Sequence, residues 1–500
     1  MRKSHIAASY LLAGAFFLSA NTFAKDLGEG SSNEADSVLL KNRNNDYTHW
    51  NGIGKIFWDE TPSCTASLLD TRDSNNNTLG PAYLLTAAHC VRRVAGPLGD
   101  TSVKEVIKFN YFNDTPDTYK SYGIKKTIWK DYDHTDLAIM ELDVALSTLL
   151  EDGITPLRLA PEWTGLATDV LVVGAPEWLP ESGLRMAACS QEPTAATLVE
   201  GDRVFHGTLK NRCKEIRPGS SGSPVLDRKS GQILAVMATS TYGATIEEKC
   251  FSNAPCEVAN GQPAWAVDTH YSHPTDKLSS CFREGLFTNI SNACTTDSTF
   301  KLTGLKYWPT QYVAMPKDAS SPDPLVNAQF SLSTPHYRFK TVRDALECQS
   351  PHYYSDTGDA TEAVIETPLS RDPGMHYLCV VGVESSDQRP DAAMMKNAWI
   401  TPVQLIARTP VKMPEPTITL GADWNYKVKW LYRIPVHLET LYFAGPTKDT
   451  DCSKVSIDDY IGTYETVEFK AEQLPLTLCS RNRDLSNRYS KIRTDLLALP

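Results

Sequence analysis

The sequence contains no CxxC pair, no long basic run and no long apolar stretch with helical period. Only one apolar run stands out, at the N-terminus. Each absence excludes something. Without CxxC pairs, the twelve cysteines are poor candidates for zinc ligands. Lys+Arg number 49 against Asp+Glu 60, a net charge of −11, and with no basic run this argues against nucleic-acid binding. The apolar run, Ile6 to Ala20, is about 15 residues, short of the ~20 that cross a bilayer. It follows Arg2 and Lys3 and precedes Thr22-Phe23-Ala24, so residues 1–24 read as a cleaved secretory signal. No span is expected in the mature chain.

What is present is ordinary for folded protein. Hydrophobic residues make up 41% and charged residues 22%, and 500 residues are too many for one core. An even cysteine count in an exported chain reads as disulfides. Pairing by proximity gives Cys64–Cys90, Cys189–Cys213, Cys250–Cys256, Cys281–Cys294, Cys348–Cys379 and Cys452–Cys479. The four cysteines from 250 to 294 admit other pairings.

Residues 25–48 are polar and show no apolar period, so they are expected to be an N-terminal arm or propeptide. From 49 to 300, short alternating runs are separated by Gly, Pro, Asn and Asp. They include Cys64–Leu69, Tyr83–Thr86, Val106–Phe112, Leu137–Leu142, Val170–Val173 and Ile233–Met237. This predicts an all-β barrel or sandwich unit. The last 200 residues carry an internal repeat. Cys379 and Cys479 each sit in a strand-like run, with partners Cys348 and Cys452 upstream. Two β-sandwich modules are predicted, at 301–409 and 410–500, immunoglobulin-like in architecture only because neither has a Trp between its cysteines. Proline clusters at 309–324 and 410–416 mark the linkers.

Three segments carry the ingredients of acyl transfer: a base, a group that orients it, a nucleophile and oxyanion donors. Leu84-Leu-Thr-Ala-Ala-His89-Cys90 runs from a strand into a small-residue turn that presents an imidazole. His134-Thr-Asp136-Leu-Ala-Ile-Met places a carboxylate just ahead of an alternating strand. Arg217-Pro-Gly219-Ser-Ser221-Gly-Ser-Pro224 has glycines on both sides of Ser221, which permit a tight turn. Such a turn exposes the hydroxyl and aims the amides of Gly219 and Ser221 at one point.

In that order, the three motifs resemble those of the trypsin-like serine proteases, particularly the bacterial secreted branch that includes glutamyl endopeptidases. Thr86-Ala-Ala-His89-Cys90 resembles the histidine motif, Asp136-Leu-Ala-Ile-Met the aspartate motif and Gly219-Ser-Ser221-Gly-Ser-Pro224 the serine motif. The resemblance covers residues 49–300 and implies two packed six-stranded β-barrels with the site between them. It implies that His89 is base and acid, that Asp136 orients it, that Ser221 attacks, and that the Gly219 and Ser221 amides hold the oxyanion. It implies no metal or cofactor, and protein or peptide substrates. Disulfides beside the histidine (Cys64–Cys90) and upstream of the serine (Cys189–Cys213) are features of the family. The residue before the nucleophile is Ser220, not the acid that animal digestive members pair with a new N-terminal amine. That switch is therefore not available here.

In relatives that cut after Lys or Arg, an acid six residues before the nucleophile lies under the P1 side chain. Here that position is Glu215, and Ala235–Thr239 lacks the histidine of the glutamyl branch. Both point to Lys or Arg at P1; the competing reading makes Glu215 an exposed loop acid beside Lys214 and Arg217. The rival to an enzyme is a secreted non-catalytic β protein, an adhesin or pseudoprotease scaffold. The C-terminal modules are expected to bind a surface or partner.

Overall fold

A computed structural model describes residues 35–500, apart from 74, 92–104, 162–164, 178, 195, 277, 289–293, 295–298, 308–310, 431–436 and 464–465. The expected signal, 1–24, and the first part of the arm lie outside the described residues.

The chain is almost entirely β. Six strands close the first barrel in the order Ile53–Trp58, Thr61–Leu68, Pro81–Thr86, Leu137–Ala145, Lys120–Asp131 and Glu105–Phe109. The second barrel closes through Thr168–Gly174, Arg185–Pro193, Leu209–Asn211, His270–Pro274, Ile233–Ser240 and Pro224–Asp227. Each closure removes free strand edges. Strands such as Ile53–Trp58, Leu137–Ala145 and Thr168–Gly174 are apolar because most of their residues are covered. Ile53, Ile56, Ala66, Leu84 and Ile139 pack in one continuous core with Val173, Leu226 and Val236 of the second barrel. A separate cluster of Val170, Val172, Leu209, Val225 and Ala235 fills the second barrel.

The sequence reading misplaces some boundaries. The strand expected over Val106–Phe112 ends at Phe109, because Asn110 takes a left-handed φ of 54° that Asn tolerates and that turns the chain. The long strand Lys120–Asp131 was not foreseen, since its residues are mostly polar and largely solvent-facing. Part of the 25–48 segment is built into the fold. Val38–Leu39 pairs with Arg185–Met186, and Leu40 is fully buried.

All six disulfides join the cysteines nearest in sequence, including Cys250–Cys256 and Cys281–Cys294, with Cα–Cα separations of 4.8 to 5.9 Å. This number of disulfides points to an oxidising compartment, extracellular or periplasmic. No helix among the described residues is long and apolar enough to cross a membrane.

Beyond residue 300 the strands form two pairs of sheets. The first pair has three and five strands, the second three and four. Cys379 lies on the long strand Gly374–Val383, and Cys479 lies on Leu476–Asp484. The first pair of sheets is not separate from the barrels. A side sheet of Arg203–Phe205, Thr197–Glu200, Cys256–Ala259 and Gln262–Ala264 places Val199, Val204 and Val258 in one apolar cluster with Ala345, Met375 and Tyr377.

Candidate active site

The strand Pro81–Thr86 delivers the chain into one 3₁₀ turn, Ala88–Cys90, that carries His89. Ala87 and Ala88 are fully buried, which explains the small side chains. Two ties fix the turn. Cys90 is bonded to Cys64, and the Thr86 hydroxyl donates to the Thr65 carbonyl at 2.8 Å.

Asp136 immediately precedes Leu137–Ala145 and is 3% exposed. Its Oδ2 lies 2.6 Å from His89 Nδ1, and its Oδ1 accepts the His89 backbone N–H at 2.9 Å. Burial alone would lower the imidazole's pKa, but the Asp136 charge and hydrogen bond, with help from Glu200, outweigh it and raise the pKa. Burial likewise opposes the Asp136 charge, yet the charge and hydrogen bonds of His89 hold the carboxyl below its usual range.

The third segment turns on two glycines with positive φ, Gly219 at 88° and Gly222 at 83°. A Cβ at 222 would overlap the Thr65 carbonyl oxygen and the Thr86 hydroxyl. The Ser221 carbonyl accepts the Thr65 N–H at 2.8 Å. Ser221 is thus tied to the residue beside Cys64, which is bridged to Cys90 beside His89. These links and the Asp136–His89 bonds join the three motifs. Among the described residues, the Gly219 and Ser221 N–H groups donate to no acceptor. Ser221 Oγ donates to the Ala238 carbonyl at 3.4 Å and makes no hydrogen bond to His89 in this state. Cys64, His89 and Cys90 cluster closely, but both sulfurs are consumed in the disulfide and offer no thiolate to a metal.

Glu215 has other partners than the sequence suggested. Its carboxylate accepts the Ser37 N–H at 3.2 Å and the Ser37 hydroxyl, and lies 3.5 Å from the Arg185 guanidinium. It ties the N-terminal segment to the loop that leads to Ser221.

Sequence reasoning missed several neighbours. Glu200 accepts from Thr239 Oγ1 at 2.9 Å and Asn253 N at 2.7 Å, and burial raises its pKa. His273 is 1% exposed, packs edge-on against Phe205, and is held neutral by burial, with a pKa lowered to about 4. Lys55 is a fully buried lysine. None of these has a local motif; each acquires its setting from strands distant in sequence.

No curated protein matches the chain in sequence. Among solved structures it is similar to the thermostable serine protease AL20 of an extremophilic microorganism, at 17% identity, covering 50% of this chain and all of that one, with a TM-score of 0.31. It is similar to the protease Anisep of Arthrobacter nicotinovorans, at 15% identity, covering 45% of this chain and 90% of that one, with a TM-score of 0.29. It is also similar to human heparin binding protein, at 14% identity, covering 48% of this chain and 91% of that one, with a TM-score of 0.32. Residues 71–236, which include His89, Asp136 and Ser221, match the family model of the trypsin-like peptidase domain.

Proposed function

We propose that this protein is a secreted serine endopeptidase that cleaves protein or peptide substrates through an acyl-enzyme. The observation that carries the proposal is the pairing of a solvent-accessible His89, held by the buried Asp136, with a Ser221 turn whose Gly219 and Ser221 amides are unpaired among the described residues. In the reaction, a χ1 rotation moves the Ser221 hydroxyl from Ala238 to His89 Nε2. His89 takes the proton as Ser221 Oγ bonds to the scissile carbonyl carbon. The negative charge on the carbonyl oxygen falls to the Gly219 and Ser221 N–H groups. His89 returns the proton to the leaving amine, and water repeats the sequence to release the acid. Asp136 keeps Nδ1 protonated and Nε2 free to accept.

A preference for Lys or Arg at P1 is the finer part of the proposal. It rests on Glu215, and a P1 cation would compete with Arg185 and Ser37 for that carboxylate. Export is proposed from the 1–24 signal and fits the disulfides.

The test is peptide-library hydrolysis by the wild type and by Ser221→Ala. Wild-type cleavage that falls by ~10³ or more in the folded alanine variant supports the reading. No cleavage by the wild type, or equal cleavage by both, overturns it in favour of a non-catalytic scaffold.

A further inference from the structure

We propose that Lys55 and Glu177, which belong to none of the three motifs, are a positioning pair that holds the Gly219 N–H in its oxyanion-binding direction. The proposal rests on the serine-protease reading above and adds two residues to it.

Lys55 lies on the first-barrel strand Ile53–Trp58 and is 1% exposed. An ammonium there is costly, and an apolar residue would fill the space at less expense. Its three N–H donors are all used. They meet the Ser63 carbonyl at 2.6 Å, the Ala175 carbonyl at 2.8 Å and Glu177 Oε1 at 3.0 Å. The first acceptor belongs to barrel one, and the other two follow the barrel-two strand Thr168–Gly174. Lys55 thereby fixes residues 175–177 against the first barrel.

Residue 177 in turn holds the oxyanion loop. The Glu177 N–H donates to the Pro218 carbonyl at 2.7 Å. The 218–219 peptide is trans, so its C=O and N–H point in opposite directions. With the carbonyl held by Glu177, the Gly219 N–H must face away from that segment, and it is one of the two amides left unpaired. The next carbonyl is fixed as well. Gly219 O accepts from Thr65 Oγ1 at 2.9 Å, and Thr65 Oγ1 accepts from Ala175 N at 3.0 Å. A Cβ on residue 219 would lie 2.5 Å from Lys55 Nζ and 3.0 Å from Glu177 Cγ, so the pair packs directly against the Gly219 Cα. A flip of the 218–219 peptide would put a carbonyl oxygen where the substrate oxyanion must sit. Residues 175–177, held by Lys55, oppose that flip.

The test measures kcat and KM on a peptide p-nitroanilide cleaved by the wild type, and the affinity of the matching peptide aldehyde, whose hemiacetal oxygen occupies the oxyanion position. The variants are Lys55→Met and Glu177→Gln. Lys55→Met is expected to lower kcat by about 10²-fold, as loss of one oxyanion donor does, with KM within about two-fold. Aldehyde affinity should fall by a similar factor. Glu177→Gln, which keeps its backbone donor, should show the same pattern with a smaller loss. Because Glu177 is partly exposed at 29%, that variant should fold even if Lys55→Met does not. Wild-type kcat and aldehyde affinity in folded Glu177→Gln or Lys55→Met would overturn the positioning role, as would a loss confined to KM or to thermal stability. A wild type that cleaves no peptide overturns the protease reading itself, and the two failures are distinguishable.

Discussion

The Asp136 carboxylate binds His89 twice, through Oδ2 to the ring Nδ1 at 2.6 Å and through Oδ1 to the backbone N–H at 2.9 Å. The second bond fixes where the residue sits, and the first fixes which nitrogen carries the proton. An imidazole held this way offers Nε2 to Ser221 as an acceptor only when the ring is neutral. Its pKa is raised, so protonation blocks the base at low pH and activity appears as pH rises through a value above 6.5. A kcat/KM profile from pH 5 to 9 checks this; a flat profile across 6–8 contradicts it. Asp136→Asn should leave the fold intact and lower kcat by about 10⁴, because the amide favours the wrong tautomer.

Gly222 should tolerate no side chain. Its φ is 83°, and a Cβ would strike Thr65 and Thr86, the residues that hold Ser221 against the histidine turn. Gly222→Ala is expected to cost at least ~1–3 kcal/mol from strain alone and to abolish hydrolysis. Denaturant melts beside peptide assays measure both, and an alanine variant with wild-type activity would contradict this account of the turn.

Glu215→Gln separates two roles for one carboxylate. Its bonds to Ser37 and Arg185 tie down the Val38–Leu39 strand and a P1 cation would compete for the same carboxylate, so the amide should weaken the docking of that strand and reduce the preference for Arg and Lys at P1. Profiling on peptides with Arg, Lys, Phe, Ala and Glu at P1 reads the second effect. A strong wild-type preference for Arg that disappears in the variant would place the carboxylate under the P1 side chain.

The sequence leads to the expectation that a chain ending near residue 300 folds and cleaves on its own. The shared cluster of Val199, Val204 and Val258 with Met375 and Tyr377 qualifies that expectation. Tyr377 is 1% exposed, and Tyr377→Ala should cost about 3–5 kcal/mol, like other large-to-small aromatic changes in cores. The shortened chain should retain both barrels but melt below the full chain, since its side sheet loses its cover. Equal melting temperatures would show that the cluster contributes nothing to the barrels.

The candidate site was largely legible because His89, Asp136 and Ser221 each stand in a short local motif. The disulfides were legible because every cysteine pairs with its sequence neighbour. Lys55 was not, since one of its acceptors, Ala175 O, lies 120 residues away and is a backbone atom that no side-chain pattern reveals. The strand Lys120–Asp131 was hidden by its polar outer face. The Val38–Leu39 strand was too short to show a period. Glu215 was assigned by counting along a loop, whereas its partners come from the N-terminal segment and a neighbouring strand.

The central claim is that Ser221 is the nucleophile. Intact-mass and peptide-mapping spectrometry after treatment with a fluorophosphonate tests it most directly. One adduct per chain is predicted, on Ser221, formed faster as pH rises through the His89 titration and absent from Ser221→Ala. An unlabelled wild-type protein, or an adduct on Ser220 or Ser223 that persists in the alanine variant, would contradict the account.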